Sequence, residues 1–138
     1  MKTAILYYSF GGFTKKYAEK AAGESGADLF EIHELRKRNI ISAFIPGCPY
    51  AMKQKRVRIK PIDCDFSAYD SFILAAPVWA GFPAPAFNSA LALLPKGAKV
   101  EVVLTSGSGD SSKGRTKVEE LVKSCGCELT GYKDIKNG

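Results

Sequence analysis

The run Ser71-Phe72-Ile73-Leu74-Ala75-Ala76 constrains the fold of this chain more than any other segment. Past Ser71 it has no polar side chain to turn toward water, so as a strand it must be covered on both faces. A sheet with one wet face would uncover every second residue, whereas a parallel sheet packed between helices covers them all. Weaker apolar runs stand at residues 2–8, 28–32, 100–104 and 128–135. Between them the spacing becomes helical: Phe13, Tyr17, Ala18 and Ala21; then Phe87, Ala90, Leu91 and Leu94; then Val118, Leu121, Val122 and Cys125. This alternation predicts an α/β fold, with a five-stranded parallel sheet whose right-handed crossovers lay helices on both faces. The Thr14 hydroxyl suits the N-cap of a helix over residues 14–22 that Gly23 would end. Pro83 and Pro85 open the next helix, and Pro95 and Gly97 stop it.

The chain of 138 residues is read as a single domain, residues 1–138, long enough for its own core. No apolar run approaches the ~20 residues a bilayer demands and no secretory leader is read, so no membrane contact is expected. Cys48, Cys64, Cys125 and Cys127 are then expected as reduced thiols in a cytoplasm. The Cys125-Gly126-Cys127 spacing is too tight for the usual zinc or redox pairs, and no metal site is expected. The formal charge is +6. It concentrates in one segment, where Arg36, Lys37, Arg38, Lys53, Lys55, Arg56, Arg58 and Lys60 face Glu34 alone. Such a stripe reads first as a solvated face that favours solubility; as a binding surface it suits an acidic protein or a phosphorylated ligand, since no nucleic-acid module surrounds it. Pro46, Gly47 and Pro49 make the segment from Glu34 to Lys60 at best a broken helix with an irregular excursion.

In parallel α/β sheets ligands bind beyond the carboxyl ends of the strands, where the strand order reverses. Three loops leaving such ends have unusual composition. Ser9-Phe10-Gly11-Gly12-Phe13-Thr14 breaks a strand and feeds a helix, offering hydroxyls, backbone N–H groups and a helix N-terminus to one small volume. It lacks the Gly-Lys-Ser/Thr of a triphosphate loop. Pro77-Val78-Trp79-Ala80-Gly81 carries the only tryptophan, placed to lie against a flat heterocycle. Ser106-Gly107-Ser108-Gly109-Asp110 offers N–H groups and one carboxylate to the edge of such a ring. His33, the only histidine, ends the second strand and is expected to take no part. No catalytic side chain is read. The first loop has no cysteine nucleophile and its strand no acidic pair, which argues against phosphatase or receiver-type chemistry.

Together the three loops resemble the flavodoxin-like family in order and spacing over residues 1–135. The first loop is similar to the Ser/Thr-x-Thr-Gly-x-Thr loop that holds the FMN phosphate. The second resembles the loop that contacts the isoalloxazine ring, and the third the Gly-x-Gly-Asp-Ser loop on its other side. The resemblance implies a three-layer sandwich with strand order 2-1-3-4-5 and FMN as cofactor. Ser9, Thr14 and the N–H groups of Phe10, Gly11, Gly12 and Phe13 would hold the phosphate. Pro77, Val78, Trp79, Ala80 and Gly81 would line the ring, and Ser106, Gly107, Ser108, Gly109 and Asp110 would border its pyrimidine side. The implied function is electron transfer or a flavin-dependent oxidoreductase activity. The other reading is a domain that has lost flavin and serves as a binding or scaffold module.

Several residues depart from the family pattern. Gly11 stands where Thr is usual and Phe13 where Asn is common, and no tyrosine follows Asp110-Ser111-Ser112. The chain is basic where flavodoxins are acidic, which implies an acidic redox partner or NAD(P)H as donor and favours the anionic reduced flavin. The family's final helix is missing before Gly138, so, unless the chain was cut short, a bare apolar sheet face and a homodimer or another covering partner are expected.

Overall fold

The structure, a computed structural model, describes residues 2–35 and 52–137. The breaks expected at Pro46, Gly47 and Pro49, together with Cys48, lie outside the described residues. In chain order the elements are β1 (Thr3–Tyr7), α1 (Phe13–Ser25), β2 (Asp28–Glu31), a 3-10 turn (Phe66–Ala68), β3 (Ser71–Trp79) and β4 (Phe82–Pro83). They continue with α2 (Pro85–Leu91), β5 (Lys99–Ser106), α3 (Ser112–Ser124) and β6 (Glu128–Lys136). The five long strands pair in parallel in the order β2-β1-β3-β5-β6. With the two-residue β4 set aside, this is the expected order 2-1-3-4-5.

The apolar run becomes the central strand, and both its faces are covered as its composition demanded. Phe72, Leu74 and Ala76 join Leu6, Val100, Val102 and Leu104 in the larger cluster, capped by Phe87 and Leu91 of α2 and by Val118 and Val122 of α3. Ala75 faces the other way with Ile5, Tyr7, Val103 and Ala18 of α1. Each fully buried Leu or Phe contributes roughly 1.5–3 kcal/mol of transfer free energy. On this face Ile73 and Ile135 are only partly buried. Its outer strands carry Glu101 and Lys133, paired at 3.2 Å, and Lys133 Nζ holds its proton above the usual lysine range because it donates to Glu101. The exposed large apolar residues among those described, Leu35, Met52 and Leu93, belong to none of these strands.

Two helix ends also differ from the reading. Gly23 runs on inside α1, and Gly26 ends it in the left-handed region at φ 74°, its N–H donating to the Ala22 carbonyl. At the start Gly12, not Thr14, is the cap residue.

Tyr7 donates to Glu31 Oε1 at 3.0 Å across the β1–β2 pair. Burial, then that bond and the adjacent carboxylate charge, push its phenol up to about 12. An unfolded tyrosine ionises near ~10. Tyr7 therefore adds stability that is fully present below that pH and is lost as pH rises toward 12. Urea unfolding at pH values on either side of this window should show a decline that Tyr7→Phe makes shallower. An unchanged slope would rule out the Tyr7 contribution.

Candidate functional site

The first loop leaves β1 beside the ends of β2 and β3. Gly11 and Gly12 adopt φ 91° and 92°, a region that costs other L-residues about 1–2 kcal/mol. A Cβ at either glycine would meet nothing within 4 Å, so the loop faces open space. Because Gly12 has no side chain, α1 begins without a side-chain cap. Its first helical bond runs from the Lys16 N–H to the Gly12 carbonyl, and the Lys15 N–H is met by Ser9 Oγ at 3.2 Å. The N–H groups of Phe13 and Thr14 have no acceptor among the described residues. Orphan donors at a helix N-terminus form an anion site. The Thr14 hydroxyl, expected to face a phosphate, is instead buried against Thr105 Oγ1 at 2.8 Å. Thr14 thus offers its N–H, while its hydroxyl fastens α1 to the end of β5.

The second segment is more regular than a loop. Pro77, Val78 and Trp79 extend β3, because Val78 and Trp79 pair back onto Pro83 and Phe82 of β4. Ala80 and Gly81 make the two-residue turn, both at positive φ (53° and 90°), as the twist of such hairpins requires. The hairpin holds Trp79 edge-on to Phe10 of the first loop, centroids 5.8 Å apart, and edge-on to Tyr8 at 6.0 Å.

The third loop is organised by its own hydroxyls. Ser106 Oγ accepts from the Gly109 N–H at 2.9 Å, and Ser108 Oγ from the Asp110 N–H at 3.2 Å. Asp110 Oδ1 accepts from the Ser112 N–H at 2.8 Å, and bonds to Ser112 hold its carboxyl below the usual range. The carboxylate expected to border a ring therefore serves the first turn of α3. Gly107 is exposed, with open space where a Cβ would stand.

The three segments converge. Trp79 links the first two through Phe10, the Thr14–Thr105 bond links the first to β5, and Gly114 of α3 packs directly against the Gly81 carbonyl. A cavity of about 580 Å³ opens between the first loop and the end of β2, lined by Tyr8, Ser9, Phe10 and Gly11 and reaching Glu34 and Lys60; no residue of the second or third segment lines it. His33 Nδ1 lies 3.8 Å from Glu31 on the exposed side. No group of side chains among the described residues could hold a metal ion, and no described helix is long and apolar enough to cross a membrane.

Comparison with solved structures fits this geometry. A flavoprotein from Lactobacillus acidophilus, solved in complex with FMN, is 27% identical over 95% of this chain and 91% of that one, with a TM-score of 0.79. A protein from Bacteroides eggerthii is 21% identical, covering 96% and 86%, with a TM-score of 0.82. Oxidised flavodoxin 1 from Bacillus cereus is 16% identical, covering 100% and 87%, with a TM-score of 0.53. The chain has a flavodoxin-like fold. No family model matches its sequence, and no curated protein does so significantly.

Sequence reasoning missed three residues that hold the candidate site together. Thr105 was invisible because its partner lies 91 residues away. Tyr8, which donates to Glu34 Oε2 at 2.7 Å and packs on Trp79, read only as the end of a strand. Ser111 is 1% exposed; its hydroxyl lies 2.6 Å from the Tyr132 hydroxyl and donates to Asp134 Oδ1. That bond anchors the third loop to β6. Its sequence signal was the serine that ends the Gly-x-Gly-Asp-Ser pattern, which says nothing of its partners on β6.

Proposed function

We propose that this chain binds FMN and works in electron transfer, as a carrier or as a flavin-dependent oxidoreductase. The observation that carries the reading is the uncapped N-terminus of α1, with free N–H groups facing an open diglycine turn. A dianionic phosphate matches those donors and the positive end of the helix dipole. Lys15 and Lys16 add positive charge just beyond. Ser9, whose hydroxyl already bonds the Lys15 N–H, can donate its own proton to the same anion. Trp79, braced by Tyr8 and Phe10, gives one wall for a planar ring, and the exposed backbone of Gly107 another edge. The similar flavoprotein from L. acidophilus was solved with FMN, which supports the same ligand here. FMN supplies the electron chemistry when bound; the protein positions it and sets its electrostatic surroundings. The free thiols of Cys64, Cys125 and Cys127 suit a reducing cytoplasm.

Titrating the purified protein into FMN should quench flavin fluorescence and shift its absorbance at micromolar concentrations or below. Riboflavin, which lacks the phosphate, should bind at least tenfold more weakly. Failure to take up FMN at tens of micromolar would leave the flavin-free binding module as the better reading.

A further inference from the structure

The basic segment of the sequence is not a loosely solvated run where the structure describes it. Residues 54–57 are strapped across two helices by side chains that take the place of a strand partner. Gln54 Nε2 donates to the Lys117 carbonyl of α3 at 3.1 Å, and Asn88 Nδ2 of α2 donates to the Lys55 carbonyl at 2.9 Å. Ser89 Oγ accepts from the Val57 N–H at 2.9 Å and donates to the Val57 carbonyl at 2.6 Å. Asn88 and Ser89 are almost fully buried, so these are built contacts. The strap continues to the end of β2, where the Leu35 N–H donates to the Arg58 carbonyl and the Lys60 N–H to that of His33.

Both α2 and α3 start at the carboxyl edge of the sheet, and the strap crosses near the second turn of each. It therefore runs about one helical turn, ~5.4 Å, behind the edge that carries the three loops. Lys53, Arg56 and Arg58 are exposed along it. Lys113 is exposed at the start of α3, its stem lying over Gly81 so closely that a Cβ there would meet its Cδ at 3.1 Å. Lys117 follows one turn on, its ammonium 6.0 Å from the Phe82 ring. None of Lys53, Arg56, Arg58 and Lys113 has a carboxylate partner among the described residues. Along the strap the sequence supplies none, since no Asp or Glu occurs between Glu34 and Asp63; at the start of α3 Asp110 is held by the Ser112 N–H and Glu119 by Arg115.

Taking the loop edge as the site of electron transfer, we propose that this strap and the start of α3 form the docking surface for an acidic redox protein. Cations fixed in place beside the exchange edge steer an acidic partner and orient it there. A protein surface fits better than a nucleic acid. The exposed large apolar residues described are Leu35, Met52 and Leu93, with no exposed ring among the cations for a base to stack on.

The test uses a plant-type two-iron ferredoxin, a small acidic one-electron carrier, as probe. Its paramagnetic centre should bleach the amide signals of isotope-labelled protein at residues 53–58, 113 and 117, with or without FMN. Binding should weaken about tenfold or more between roughly 20 and 300 mM salt. Arg56→Glu/Arg58→Glu should lose about tenfold in affinity at low salt, and Lys113→Glu/Lys117→Glu, on a different element, a similar factor. Lys96→Glu/Lys99→Glu makes the same change in net charge at the opposite end of β5 and should retain parental affinity to within about twofold. Each variant should keep the parental FMN affinity, which separates loss of docking from failure of the flavin reading. Absent binding at low salt, bleaching elsewhere, equal losses in all three variants, or displacement of the ferredoxin by a single-stranded oligonucleotide at lower concentration would each overturn the proposal.

Discussion

Gly12→Asp should lose FMN by about 2–4 kcal/mol relative to Gly12→Asn, a factor of roughly 30 to 1,000 in dissociation constant. The two variants share a shape and a backbone cost. Gly12 sits at φ 92°, where Asn and Asp are the side chains that best tolerate left-handed geometry, so both lose about 1 kcal/mol from strain. Neither meets a steric obstacle, since nothing lies within 4 Å of a Cβ built there. They differ in charge alone. A carboxylate at this position stands within a side chain's length of the Phe13 and Thr14 N–H groups and would occupy the helix N-terminus with its own negative charge. A phosphate arriving there meets like charge at ~4 Å, worth about 4 kcal/mol at an effective dielectric of 20. Riboflavin carries no phosphate, so its binding should separate the two variants by less than threefold. Fluorescence titration with both flavins reads all four numbers. If Gly12→Asp and Gly12→Asn bind FMN equally, the phosphate does not sit at the start of α1, and the functional reading loses the observation that carries it.

The parts of this fold that were legible in the sequence are those governed by local period. The run at residues 71–76 could only be a strand covered on both faces, and it is the central one. Val118 and Val122 lie one turn apart, and both are fully buried under α3. Long-range polar bonds leave no such mark. A threonine before a helix reads as a cap, and nothing local reveals that the Thr14 hydroxyl turns inward to Thr105. Ala80 hides the hairpin in the same way, because alanine gives no warning of φ 53°. Trp79 therefore reads as loop when it is the last residue of β3. The charged finish of the α1 face was open to inspection, since Glu101 interrupts an apolar strand and Lys133 lies in the last one. What the sequence withheld was their pairing, which depends on the register shift between Val100 and Glu101 that sets Lys133 beside Val103. In the Cys125-Gly126-Cys127 triplet, burial raises the Cys127 thiol above its ordinary range.

Two glycines that look alike in sequence, each inside a helix, should respond to alanine with opposite signs. Gly23 lies in α1 at ordinary helical φ, with nothing within 4 Å of an added Cβ. Gly23→Ala should raise stability by about 0.5–1 kcal/mol, because alanine restricts the unfolded chain and suits the helix. Gly114 is buried in the first turn of α3, and a Cβ there would stand 2.5 Å from the Gly81 carbonyl oxygen and 2.9 Å from the Phe82 ring. The oxygen belongs to the backbone of a tight hairpin and Phe82 is only 6% exposed, so neither can swing aside. Overpacking of this kind costs about 1–3 kcal/mol, which exceeds the helical gain of up to ~1 kcal/mol. Gly114→Ala should therefore lose roughly 1–2 kcal/mol, and Gly114→Leu about 3 kcal/mol or more. The damage should also reach the ligand. The Gly81–Gly114 contact keeps the Trp79 hairpin against α3, so displacing it shifts the wall for the ring while leaving the phosphate end in place. Gly114→Ala should accordingly weaken FMN and riboflavin by a similar factor, in contrast to Gly12→Asp, which discriminates between them. Denaturant midpoints for both alanine variants, read beside the two flavin affinities, decide the matter. A Gly114→Ala protein as stable as its parent would mean that the hairpin and α3 do not touch in solution, and that the second and third loops are not held to a common site by this contact.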